Sequence, residues 1–119
     1  SLATAKRDLV QDIEYAREYA AARRDKVWLK FDISGNRYLV FAGESAADSS
    51  LLEHPATNDP FIVRFGTGDY QNVTLQATAG FTTADHLIFT PFGQPESGGN
   101  ITINGETITI EAITGHASM

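Results

Sequence analysis

His54, His86 and His116 are the only imidazoles in this 119-residue chain, and 32 and 30 residues separate them. Metal sites draw their ligands from short, clustered spacings, so this spread predicts ordinary surface or turn histidines, with no metal and no other cofactor. Ser49 or Ser50, His54 and Asp59 suggest a Ser–His–Asp hydrolase on paper. All of them fall in one polar loop, without the strand-to-helix elbow that presents a nucleophile or a rigid element to hold its geometry. No enzyme is expected. Asp8 and Asp12 read as solvated charges on a helix face, not as an acid–base pair. Gly66-x-Gly68 and Gly98-Gly99 lead into no helix, so they lack the N-terminal amides that cradle phosphate and read as turns. What remains is electrostatic. Arg17, Arg23, Arg24, Lys26 and Lys30 make the one basic cluster, and it could meet DNA phosphates or an acidic neighbouring protein. Cations near a helix C-terminus also complement its dipole, and that role, or contact with an acidic neighbour, is preferred here to DNA.

The charge distribution supports that preference. Residues 1–40 hold eight Lys/Arg against six Asp/Glu, whereas residues 41–119 hold Arg64 alone against nine acids. Nucleic acid and anionic lipid are bound by clustered cations, so the C-terminal two-thirds is unsuited to both. The chain has no cysteine, hence no disulfide. It contains no run of eighteen apolar residues such as a membrane-spanning helix needs. Its length fits one domain, residues 1–119.

The elements that must position these groups follow from periodicity. Residues 2–25 are predicted as one helix: Leu2, Ala5, Leu9, Ile13, Ala16 and Ala20 share a stripe, with Arg7, Glu14, Glu18 and Asp25 opposite. The segment has no Gly or Pro, and it is rich in good helix formers. From residue 26 to the end the period changes to two. Val27–Phe31, a turn at Ser34-Gly35-Asn36, and Arg37–Phe41 read as a hairpin. Phe61–Phe65, Asn72–Ala77 and His86–Thr90 read as further strands. Ile101–Ile103 and Glu106–Ile113 close on Asn104-Gly105, the strongest short hairpin turn. Isoleucines 101, 103, 108 and 110 then form one face, and threonines 102, 107 and 109 the other. Residues 43–60 and 91–100 read as loops. A helix followed only by strands must bury its stripe on the antiparallel sheet or sheets, which predicts an α+β roll.

Several stretches resemble a known family. Ala16-Arg17-Glu18-Tyr19-Ala20, then Arg23-Arg24 and Val27-Trp28-Leu29, is similar to the helix-to-first-strand passage of the GspH/FimT group of pilin-like proteins. Tyr38-Leu39-Val40 resembles the second strand of that group. Ile88-Phe89 with Gly93-Gln94-Pro95 resembles its I-F-x-x-x-G-x-P segment. Gly99-x-Ile101-x-Ile103, Ile108-x-Ile110 and Thr114-Gly115 resemble its closing hairpin and C-terminal Thr-Gly. The resemblance implies a pilin-like roll whose helix is apolar in its first half and anchors the subunit in the inner membrane of a Gram-negative bacterium. The remainder then lies in the periplasm. Ser1-Leu2-Ala3-Thr4-Ala5 reads as the middle of such a helix. The implied role is a minor pseudopilin in a type II secretion pseudopilus. The alternative is a type IV pilus minor pilin acting in pilus assembly or DNA uptake. The implied partners are other pilin or pseudopilin subunits in a helical filament. Several pilus members of the family carry a disulfide, so a cysteine-free chain leans towards the secretion branch.

Overall fold

The computed structural model describes residues 1–119. Helix α1 runs Leu2–Arg23 and buries Ala5, Leu9, Asp12, Ile13, Ala16 and Ala20; Leu2, at its start, is half-buried against the core. It ends two residues before the expected Asp25. Arg24 turns into the left-handed region at φ 53°, and the Asp25 N–H bonds back to the Ala20 carbonyl. Such reversals satisfy the last helical carbonyls and stop the helix.

The strands that follow are β1 Val27–Asp32, β2 Arg37–Gly43, β3 Ser49–Leu51, β4 Ile62–Arg64, β5 Leu75–Ala79, β6 His86–Phe89, β7 Gly99–Ile103, β8 Glu106–Ile110 and β9 Ala117–Ser118. They make two sheets. The first is ordered β3-β2-β1-β6, with β4 also beside β2; the second is ordered β5-β7-β8-β9, and every pairing is antiparallel. On β1, Val27, Leu29 and Phe31 are buried opposite Ala42, Val40 and Tyr38. Strand alternation sends Trp28, Lys30 and Asp32 to the other face. Asn104 and Gly105, at φ 49° and 78°, form the tight turn that joins β7 to β8. That register stacks Ile101 on Ile108 and Thr102 on Thr107. One apolar cluster of 22 buried residues joins both sheets to the helix.

Several strand and loop boundaries differ from expectation. The 43–60 stretch contains β3, and beyond it residues 52–61 fold into a second narrow hairpin. There Leu52 and Phe61 are tied by the Phe61 N–H to the Leu52 carbonyl at 2.8 Å, with a Glu53–Pro60 bridge above. Strand β5 starts at Leu75 rather than Asn72, because a 3₁₀ turn at Gly68–Tyr70 and a left-handed Asn72 come first. The loop at 91–100 yields to strand at Gly99. The last long strand ends at Ile110, and the chain turns through 111–115 to return as β9. Ile113 is therefore exposed.

Candidate subunit-contact surface

The C-terminal half of α1 is clasped by two loops. Gly93, at φ 81°, lies so close to the helix that a Cβ there would stand 2.9 Å from the Ala21 Cβ and 3.3 Å from the Arg17 carbonyl oxygen. Gly115, at φ 72°, would put its Cβ 2.7 Å from the Phe89 ring. Only glycine combines that backbone with that proximity. Between them the Arg17 guanidinium donates to the Thr114 carbonyl at 2.8 Å and to the Glu14 carboxylate. Pro95 is buried and bridges back to Phe89. The Gly-x-Pro and Thr-Gly segments thus meet on one helical turn.

The basic cluster accordingly divides. Arg17 is consumed by the clasp. Lys26 pairs with Glu96 at 3.3 Å and lies 4.6 Å from the Trp28 ring centroid. Arg23 and Arg24 have no carboxylate partner; each rests over an aromatic ring, Tyr19 at 5.0 Å and Phe92 at 5.2 Å. Phe92 is 72% exposed. Lys30 stands on the outer face of the first sheet, between Leu39 and His86. The five residues therefore do not form one patch. Arg23 and Arg24 remain as cations with aromatic backing at the helix end.

Two grooves flank the exposed ridge of α1. One, about 490 Å³, runs between the helix and the C-terminal strand, lined by Val10, Gln11, Glu14, Glu18, His116 and Ala117. The other, about 320 Å³, lies between Tyr15, Tyr19 and Arg23 on the helix and Leu51, Leu52 and Glu53 on the first sheet's edge. Both are open, with polar and apolar side chains in their walls, and neither encloses a cavity of the kind that buries a small substrate.

Beneath this face lies a polar cluster that periodicity did not reveal. Asp12 is not solvated: it is 7% exposed, and Tyr38, itself fully buried, donates its hydroxyl to Asp12 Oδ2 at 2.6 Å. His54 Nε2 stands 3.8 Å from Asp12 Oδ1. Asp8 likewise accepts from the Tyr70 hydroxyl at 2.7 Å. Burial raises the Asp12 carboxyl above its ordinary range, with the Tyr38 hydrogen bond and His54 opposing the rise. Burial, reinforced by Asp12, pushes the Tyr38 hydroxyl well above the ordinary tyrosine value. A helical projection placed the clue in view, since Asp12 falls within about 20° of Ala5 at 100° per residue. A side chain that close to the apolar stripe needs a buried partner.

The imagined hydrolase triad is not assembled. Ser49 Oγ donates to the Ala46 carbonyl, the His54 ring faces Asp12, and Asp59 meets His54 only through its backbone. His86 packs edge-on to Trp28, and no three His, Cys, Asp or Glu side chains gather in metal-binding geometry. No helix is long and apolar enough to cross a membrane.

Comparison with known proteins places this geometry. No curated protein sequence matches the chain. The minor pseudopilin EpsH of the Vibrio cholerae type 2 secretion system shares its fold, with a TM-score of 0.70 over 97% of this chain and 92% of that one, at 9% identity. The type IV minor pilin FimU of Pseudomonas aeruginosa also superposes, with a TM-score of 0.59 over 95% of this chain and 84% of that one, at 18% identity. The sequence profile described as type II transport protein GspH matches residues 5–115. Since that match spans nearly the whole chain, the protein belongs to the GspH family of type II transport proteins.

Proposed function

We propose that this chain is a minor pseudopilin, a structural subunit of a type II secretion pseudopilus that works by packing and not by catalysis. The observation that carries the reading is the GspH match over residues 5–115. The helix supports it: its inner stripe is locked into the core, while its outer ridge, two grooves and the Arg23–Arg24 end stay open to neighbours. Contacts between different faces of successive subunits generate an open helical filament when the rotation does not close. An apolar helical segment before Leu2 would hold the subunit in the inner membrane, with the strands in the periplasm. The acidic body and the basic helix end offer complementary charge to successive subunits.

The likeness to FimU favours a second reading, a type IV pilus minor pilin. Deleting the gene in the source bacterium separates the two. The pseudopilin reading expects type II substrates to accumulate in the periplasm while pili persist. Loss of pili with secretion intact moves the chain to the pilus branch, and loss of neither refutes both. Because the chain has no cysteine, single cysteines at Gln11 and Ala22 on the open ridge would report neighbours by cross-linking in the same cells.

A further inference from the structure

The 52–61 hairpin is held to the rest of the fold at two levels. At its base, backbone hydrogen bonds join Leu52 and Phe61 to Val40 on β2. Towards its tip, contact with the helix is made by the ring of His54, which lies 4.6 Å from the Phe61 ring and presents Nε2 to Asp12. His54 Nδ1 accepts the Ala56 N–H at 3.1 Å, which puts the neutral ring's proton on Nε2, towards the carboxylate. At 3.8 Å this is too long for a hydrogen bond and close enough for an ion pair. The neutral contact is therefore incomplete, and a proton on the ring completes it.

We infer that the hairpin is a proton-sensitive latch, in which protonated His54 pairs with buried Asp12 and fastens residues 52–61 against the helix. The charged groups facing this pair favour that sign, while burial of Asp12, which raises its carboxyl, and the Ala56 N–H bond to Nδ1 oppose it. Asp12 and Asp8 bring their carboxyl groups from the helix. Tyr38 from β2 and Tyr70 from the 3₁₀ turn offer neutral hydroxyls that already donate to those carboxylates. No lysine or arginine pairs with Asp12, so His54 is its sole cationic partner. On the hairpin itself Glu53 and Asp59 are also acidic, and neither pairs with the ring. The one charged group within ion-pair distance of His54 is thus Asp12; the nearest cation among the groove residues, Arg23, lies over Tyr19. Histidine as a class changes charge between pH 5 and 8, which is the window in which such a latch is tested. Protonation takes the Nδ1 lone pair from Ala56, and one neutral turn hydrogen bond is exchanged for an ion pair partly shielded from water. Leu52 and Glu53 also wall the Tyr15–Tyr19 groove. Fastening the hairpin would make the shape of that contact surface depend on the acidity around the filament.

Amide hydrogen exchange on the 119-residue chain reads the latch directly. The His54, Asn58 and Phe61 amides bond to the carbonyls of Asp59, His54 and Leu52, so their protection factors report hairpin opening. Protection at pH 6 should exceed that at pH 8 by about two- to fivefold, the range of a partly exposed ion pair. Asp12→Asn and His54→Asn should each abolish the difference while amides in the middle of α1 keep theirs. The second variant leaves the helix untouched, and asparagine can still accept the Ala56 N–H, so it decides the matter if the first fails to fold. A pH response surviving in His54→Asn, no response in the parent chain, or a hairpin that loosens in acid would each overturn the inference.

Discussion

Tyr38→Phe isolates one hydrogen bond in the core. The phenylalanine ring keeps the packing against Phe31 and Phe65, whose centroids lie 6.2 and 5.6 Å away. Only the hydroxyl is lost, which leaves Asp12 Oδ2 without its 2.6 Å donor. A hydrogen bond to a charged group is worth about 1.5–3 kcal/mol. For 119 residues the melting entropy is about 0.25 kcal/mol/K, so each kcal/mol moves Tm by about 4 °C. A fall of about 6–12 °C is expected at pH 7. The pH dependence is the sharper test. Because the folded Asp12 carboxyl is raised by burial, its contribution to stability is full below its unfolded value and is lost as pH rises through the folded value. Removing the Tyr38 bond, which opposes the rise, pushes the carboxyl up further. The variant therefore loses more than the parent between acid and neutral pH. Its deficit should shrink towards about 1 kcal/mol, the worth of a neutral hydrogen bond, once Asp12 is protonated in both. Circular-dichroism melts of both proteins from pH 4 to 8 measure this. A deficit that is the same at both ends, or a Tm within 2 °C of the parent at pH 7, refutes the reasoning.

Ile13→Asp places an unpaired charge at a position 1% exposed and should cost more than about 4 kcal/mol; an unchanged melting temperature would show the packing face to be wrong. Gly115→Ala must accommodate φ 72° and a Cβ 2.7 Å from Phe89, for a loss of about 2–4 kcal/mol in urea unfolding, whereas Gly105→Ala meets no neighbouring atom and suffers only backbone strain. Asp32, held below the usual carboxylate range by the Arg37 hydrogen bond, contributes stability present above its unfolded value and lost in acid. Arg37→Gln should therefore flatten the acid limb of the stability curve. With Arg17 and Lys26 engaged, DNA should bind no tighter than about 10⁻⁴ M at physiological salt; micromolar affinity abolished by Arg23→Glu with Arg24→Glu would restore the nucleic-acid reading.

The helix, its Leu9–Ile13–Ala16–Ala20 stripe and the Asn104-Gly105 hairpin were readable because each is set within a few residues. A 3.6-residue period buries one stripe of a helix, and an Asn-Gly pair adopts the left-handed turn by itself. The clasp around Arg17 was visible only as motif fragments. Gly93, Pro95, Thr114 and Gly115 carry no local reason to be what they are until Ala21 and Phe89 lie against them. Asp12 was misread for a related cause. Its partners are 26 and 42 residues away in the chain, and a carboxylate on the flank of a stripe looks solvated until Tyr38 and His54 arrive.

By itself, then, the sequence determined the composition of the roll: one helix, a run of antiparallel strands, an acidic body with a basic helix end, and the ordered motifs of a pilin-like subunit. Tertiary structure decided how the strands divide into two sheets, since register and partner choice depend on residues far apart in the chain. Asn36 shows it: its side chain donates to the Val73 carbonyl at 3.1 Å and accepts the Leu75 N–H at 2.7 Å, fixing where β5 begins. Tertiary structure also decided which of five cations stay free, because an arginine is spent or available according to the carbonyl or carboxylate that folding brings within reach. Local periodicity reaches a few residues, and the polar contacts that shape this surface span 26 to 97.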